Sequence, residues 1–492
     1  MTGSTRRGFL SGVGALGLTS LGAVSGRSSA TGATAGESPP TAAAVDPAEL
    51  ESFVDEAVAE RVGDVTPGAT VAVVDGADVV LAKGYGTADA EAGIPVRADE
   101  TAFRIGSVSK LLTWTAVMQG VERGVLDLDA DVDDYLGDSD VAIPDTDDAP
   151  VTLRHLGTHT AGFGSVLDPG VVDSPDALTS LETALVENRP ERVRPPGEAV
   201  GYSNYGTMLA GHVVAQAHDT PFREYVQSKI YGLLGMDAST FAQPVPDDHP
   251  GDLAAPHARN GDAFAVADPV YVNWRPAGSM TTTATDMATF MSAHLGDGSV
   301  GDREILAPET AATMHSQQYE RHPAVNNWRY GFHEYGAPGS GLIGHSGGTI
   351  YFESQLVLAP DDGVGIFVAY NARSGDESPA AVVDEILDGF DLGADPPTPT
   401  PTTESSAPTD PDAPTEPGGQ ARAERVAGEY SATNMPTNGP GEVVDLLGRI
   451  TVDPVDDGRL VTDSMARGRR EWVETRPYVY HQVDGSDVLA FD

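Results

Sequence analysis

Strand-like runs gather at the two ends of residues 46–392 while the middle reads as helix, and this distribution limits the fold more than any single motif does. Runs at 69–74 and 79–83 are β-rich and joined by Asp75-Gly76-Ala77-Asp78, which predicts a hairpin. Three further runs, at 342–345, 352–359 and 364–371, are bounded by glycines and by Asp361-Asp362-Gly363. Helices are predicted at 47–62, with Asp46 as N-cap and Pro47 at the first turn, and at 205–217, 221–233, 285–295 and 379–387. A short helix is expected near 152–160, and 163–200 reads as mostly irregular. The pattern predicts an α+β fold, an α/β sandwich whose antiparallel sheet is completed by both ends of the domain around an inserted helical region. A cleft is expected at their junction.

The flanks read differently. Arg6-Arg7-Gly8-Phe9-Leu10 carries a twin-arginine signature, followed by a Gly/Ala/Leu-rich stretch to Val24 and an A-x-A site at Ala33-Thr34-Ala35. Residues 1–35 are therefore predicted to be a signal peptide, and the product to be extracellular or at the cell surface. No other apolar run reaches the ~18 residues a membrane span needs. Residues 393–421 are rich in Pro, Thr, Ser and acid, cannot bury a core and are expected to be a disordered linker. Short β-like runs return over 422–492 and predict a small β-rich domain. It ends on an apolar run, which suggests that its last strands are missing or supplied elsewhere.

Charge narrows the partners. The formal net charge is -45, and of the 29 basic residues only Lys83, Lys110 and Lys229 are lysine. So acidic a surface repels nucleic acid and anionic membranes. Abundant acid with little lysine fits a salt-adapted, halophilic protein, in which concentrated salt screens the self-repulsion. The chain has no cysteine, which removes disulfides and thiolate metal sites. Oligomeric state leaves no readable mark.

The chemistry centres on Phe103-Arg104-Ile105-Gly106-Ser107-Val108-Ser109-Lys110. Val108, Leu111, Leu112, Thr115 and Met118 follow helical spacing, which predicts an amphipathic helix opening at Ser107 and weakening at Gly120 and Gly124. Three residues is just under one turn, so Ser107 and Lys110 share a face, the serine at the positively polarised end. A serine hydroxyl is a poor nucleophile until a base takes its proton, and lysine serves only if its pKa is pulled down. With this composition, a serine at that offset from some lysine arises by chance about one time in five. The pair gains weight only from partners downstream.

Two partners follow in order. Gly201-Tyr202-Ser203-Asn204 feeds the helix at 205–217, and His345-Ser346-Gly347-Gly348-Thr349 closes a strand. The order S-x-x-K, Y-x-N, [KH]-[ST]-G on a split sheet resembles the serine β-lactamase and penicillin-binding fold. Over 46–392 the chain is similar to class C β-lactamase-related serine hydrolases, a group of D,D-peptidases, D-aminopeptidases and esterases. Leu156-Gly157-Thr158-His159-Thr160-Ala161-Gly162, Leu233-Leu234-Gly235-Met236 and Pro276-Ala277-Gly278-Ser279 add to the resemblance. It implies that Ser107 is acylated, that Lys110 accepts or relays its proton, and that Tyr202 assists and serves deacylation. It further implies substrate contacts from Asn204, His345, Ser346 and Gly347, and an oxyanion hole from the N–H groups of Ser107 and Gly348. No metal or organic cofactor is called for. Histidine replaces the β-lactamase lysine at 345, which weakens carboxylate recognition and favours a peptidase or esterase. The expected activity is cleavage of an amide or ester in a small molecule or peptide: a D-amino peptide, a β-lactam or a small ester.

Other readings compete. Gly344-His345-Ser346-Gly347-Gly348 also matches the G-x-S-x-G elbow, which would make Ser346 the nucleophile, but the required order of acid and histidine is absent. His155 and His159 have a zinc-like spacing without a third ligand and are expected to be structural. The alternative function is a non-catalytic ligand- or peptide-binding module on the same fold.

Overall fold

The computed structural model describes residues 46–144, 149–164, 170–261, 263–375, 377–393, 418–430, 449–455, 458–464, 468–483 and 487–491. The leader expected at 1–35 and most of the linker expected at 393–421 lie outside these residues. The hydrolase-like part is an antiparallel sheet between two helical layers. Its main strands are β1 (Gly68–Asp75), β2 (Asp78–Asp89), β3 (Ile343–Gly348), β4 (Glu353–Ala359) and β5 (Val364–Tyr370). They lie in the order β3-β4-β5-β1-β2, extended at the edges by His333–Glu334 and Ile94–Pro95. The first and last strands of the domain meet in the register Val71↔Val368 and Val73↔Ile366, so the sheet is closed by both ends of the segment, as the strand distribution predicts.

The period-two alternation of side chains explains the sandwich. Val71, Val73, Val357, Ile366 and Val368 face α1 (Pro47–Ala59) and the C-terminal helix Pro379–Gly389. Their neighbours Ala72, Val74, Leu356, Leu358, Phe367 and Ala369 face the larger helical region. Alternating sides of the same strands thus hold two separate cores.

Within the helical region, α2 (Ser109–Glu122) departs from expectation. Every position from Ser109 to Gly120 is buried, so the helix is not amphipathic but enclosed on all sides. Its polar donors find partners inside the molecule: Thr113 donates to Pro276 O at 2.6 Å, and Gln119 donates to Lys229 O and Ile305 O, each at 2.9 Å. Full burial of a leucine is worth about 1.5–3 kcal/mol, and Leu111 and Leu112 are both fully buried. The helix also begins later than predicted. Gly106–Val108 forms a 3₁₀ turn and the α-helix starts at Ser109, leaving Ser107 in the tight entry turn.

Other elements are refined. The helix predicted at 221–233 is broken by a π-turn over Gln227–Tyr231. The stretch 163–200 includes a helix at Leu181–Glu187. The C-terminal part begins with a helix at Gly419–Val426, which crosses the boundary drawn at 421. A six-stranded antiparallel sheet follows, from Gly428–Tyr430 to Val488–Ala490. Its closing apolar residues Leu489, Ala490 and Phe491 are buried within the chain.

Candidate active site

The cleft residues are assembled by three elements: the 3₁₀ turn and α2, the loop entering α3 (Asn204–Ala217), and strand β3. Close approach of β3 to the turn depends on glycine. A Cβ at Gly347 would fall 1.9 Å from Ile105 O, and one at Gly106, whose φ is +50°, would fall 2.5 Å from Gly348 N. Both positions must lack a side chain for the strand to lie against Ser107.

Lys110 Nζ is the hub. It sits 3.0 Å from Ser107 Oγ, 2.8 Å from Asn204 Oδ1 and 2.8 Å from Ala277 O. The side chain is fully buried and no carboxylate among the described residues contacts it, so loss of hydration holds its pKa well below the ordinary lysine value. On the other side of the serine, the Tyr202 hydroxyl donates to Ser107 Oγ at 2.9 Å. Desolvation pushes the Tyr202 phenol above its ordinary pKa, and its hydrogen bond with Ser107 opposes that only in part. Lys110 Nζ also lies 4.9 Å from the centre of the Tyr202 ring.

The Tyr202 loop is clamped by His159. Its carbonyl accepts from Gly201 N at 2.7 Å, its Nδ1 accepts from Ser203 N at 3.2 Å, and its ring packs 4.5 Å from Tyr202. His155 is occupied as well, closing a capping box with Thr152. Both histidines of the zinc-like pair therefore have structural partners. Ser203, not Asn204, caps α3 by accepting from Gly206 N, which leaves the Asn204 side chain for Lys110.

His345 is buried beside Tyr202, with ring centroids 6.2 Å apart. Its Nδ1 meets Ser346 O at 2.6 Å, while its Nε2 is buried and has no partner among the described residues. Burial, with smaller repulsion from His333, Lys110 and His159, keeps His345 well below the ordinary histidine pKa, so the imidazole is neutral. Ser346 lies within β3 opposite Gln355, on a strand rather than at a strand-to-helix elbow. That placement removes the G-x-S-x-G reading. Gly348 ends the strand, opposite Glu353.

Three neighbours escape motif reading. Ala277 contributes only its carbonyl. Trp328 packs 4.7 Å from His159, 6.2 Å from Tyr202 and 5.4 Å from His333, and His333 lies 5.4 Å from His345. Trp328 stands on an irregular loop and His333 opens the short edge strand that follows it, neither with a spacing signal. For Ala277, the quoted Pro276-Ala277-Gly278-Ser279 phrase is the only sequence trace.

A serine hydroxyl held between a desolvated amine and a phenol on this split sheet defines a serine hydrolase. The chain belongs to the Beta-lactamase family, whose model matches residues 54–389. Penicillin-binding protein 4 of Amycolatopsis lactamdurans is 30% identical over 322 residues, covering 61% of this chain and 79% of that one. Esterase EstB of Burkholderia gladioli is 32% identical over 228 residues, covering 44% of this chain but 57% of its own length, less than two thirds. Among solved structures, the octameric penicillin-binding protein homologue from Pyrococcus abyssi shares the fold with a TM-score of 0.58 at 22% identity, over 89% of this chain and 93% of that one.

Proposed function

We propose that this is an exported, salt-adapted hydrolase that cleaves an ester or amide of an acyl group lacking a required carboxylate, through an acyl-enzyme on Ser107. The observation that carries this reading is the set of partners around Lys110 Nζ. Two of the three, Asn204 Oδ1 and Ala277 O, can only accept hydrogen bonds; the third is a hydroxyl. A neutral amine has two hydrogens for the two carbonyl oxygens and one lone pair left for the Ser107 proton. With burial holding the Lys110 pKa well below its ordinary value, this arrangement favours a base that is neutral at rest.

Ser107 Oγ attacks the substrate carbonyl carbon as its proton passes to Lys110 Nζ, and the developing oxyanion takes N–H groups from Ser107 and Gly348. The C–O or C–N bond then breaks, and the leaving group takes the proton back through Lys110 or the Tyr202 hydroxyl. Water then attacks the acyl carbon, its proton going to Lys110 with Tyr202 as relay; the bond to Ser107 Oγ breaks, the serine takes that proton back, and the acid leaves. The raised pKa of Tyr202 favours a phenol that passes protons rather than a resting phenolate base. This moves the base role for deacylation from Tyr202, where the family resemblance puts it, to Lys110.

Neutral His345 sets the substrate preference. With Nδ1 on Ser346 O and Nε2 buried, the imidazole offers no charge to a substrate carboxylate. The names of the relatives, a penicillin-binding protein and an esterase, bracket the same chemistry. Export and salt adaptation rest on Arg6-Arg7 and on the net charge of -45.

The test is turnover of a short-chain nitrophenyl ester, a D-Ala peptide and a chromogenic cephalosporin in molar salt, with mass spectrometry of the trapped acyl-enzyme. The ester is expected to be the best substrate, the acyl mass to map to Ser107, and Ser107→Ala to lower kcat by at least about a thousandfold. A Ser107→Ala protein that still turns over the ester would overturn the reading.

A further inference from the structure

The loop that carries Trp328 has two faces, and each touches a different part of the molecule. Its inner side places the half-buried Trp328 ring against Tyr202 and His159. On its outer side Ala324 is buried in a small apolar cluster with Val479 and Ala490, flanked by Val325 and Val488. Val479, Val488 and Ala490 belong to the last two strands of the C-terminal sheet, Val479–Gln482 and Val488–Ala490. Only two residues, Asn326 and Asn327, separate Val325 from Trp328.

The segment between is stiff. Asn326 Nδ2 donates to Glu334 O and to Gly336 O, each at 3.1 Å, and Asn327 Nδ2 donates to the Glu334 carboxylate at 2.8 Å. Glu334 in turn accepts from Gly339 N at 2.8 Å, and Arg329 donates to Asn327 Oδ1 at 2.6 Å and to His315 O at 2.7 Å. Trp328 itself exchanges backbone hydrogen bonds with Tyr319 at 3.0 and 3.2 Å. A displacement at Ala324 and Val325 is thus passed to the Trp328 wall rather than absorbed by a slack loop.

We infer that the C-terminal sheet is a positioning element for substrate selection: its last two strands seat 324–325 and so fix the Trp328 wall beside Tyr202, against which the acyl chain of the substrate rests. The inference builds on the proposed Ser107 chemistry. It assigns Val325 and Val488 as positioning residues that never touch substrate. A small acyl group, which does not reach the wall, is indifferent to them. A longer apolar acyl group is sensitive.

The experiment uses the full chain in molar salt, comparing nitrophenyl acetate with a nitrophenyl ester of a longer straight-chain acid. Val325→Asp and Val488→Asp are each expected to raise KM for the long ester by about threefold to thirtyfold, with kcat for the acetate unchanged. The double variant is expected to add little to either single change, because both break one contact. On a Trp328→Ala background, Val488→Asp is expected to have no further effect. Val325→Ala and Val488→Ala, which keep the surface apolar, are expected to shift the same ratio more weakly, and they carry the test should an aspartate fail to fold. An unchanged ester ratio in all folded variants would overturn the inference, as would an equal loss on both esters. Neither result bears on Ser107, whose role is tested separately by Ser107→Ala.

Discussion

Lys83 and Lys110 carry the same side chain in opposite surroundings. Lys83 projects from β2 beneath α1, where Nζ meets Glu51 at 2.7 Å and Asp55 at 2.9 Å, and these carboxylates raise its pKa. Lys110 stands at the cleft, enclosed by helices, with two carbonyls and a hydroxyl in place of carboxylates, and its pKa is held far down. The outer face of the sheet uses a lysine as a charge; the cleft uses one as a base. What separates them is full burial without a carboxylate partner at Lys110 against partial exposure beside Asp55 and Glu51 at Lys83.

The largest break of that contrast is Lys110→Met. Turnover of an ester is expected to fall by at least about a thousandfold, while thermal stability at neutral pH rises. The sign follows from linkage: a buried lysine with a depressed pKa costs nothing above the unfolded value, and the cost grows as pH falls toward the folded value. Each kcal/mol regained is worth about 2–4 °C in Tm for a domain of ~150–250 residues, and less for a larger one. Equal or lower Tm in a folded Lys110→Met protein would mean that the amine is charged and satisfied at rest.

A smaller effect is expected at His345. Replacing it with lysine places a second amine at the cleft, and kcat/KM for a carboxylate-bearing D-Ala peptide relative to a neutral ester is expected to rise by about tenfold, equivalent to ~1.4 kcal/mol. A ratio that stays put would show that His345 does not set the preference. The smallest effect belongs to Lys83→Met. Its half-exposed ion pairs are expected to be worth about 0.2–1 kcal/mol of stability, with kcat/KM untouched. Chemical denaturation and ester kinetics on the one protein check both parts.

The site was more legible in the sequence than its surroundings were. Ser107, Lys110, Tyr202 and Asn204 are readable because side-chain chemistry and spacing carry their arrangement. Ala277 is not, since a backbone carbonyl can come from any residue type. Trp328 sits on a loop whose path is set by the carboxylate of Glu334, six residues further along the chain, and His333 on the short strand beyond it. The sheet closed by both ends follows from where the strand runs lie. The enclosure of α2 does not, because Thr113 and Gln119 read as a solvent face until their partners Pro276, Lys229 and Ile305 are in place. Tertiary contacts override pattern there. The amphipathic expectation fails for that reason.

With only three lysines in the chain, their protonation can be followed one by one. The decisive measurement is a pH titration of the protein labelled with ¹³C at lysine Cε, assigned by Lys83→Met and Lys110→Met. The account predicts that the Lys110 resonance titrates well below the ordinary lysine value of 10.5, that Lys83 titrates above it, and that ester kcat/KM rises with pH along the Lys110 curve. A Lys110 resonance that stays charged through neutral pH to the ordinary lysine range would contradict it.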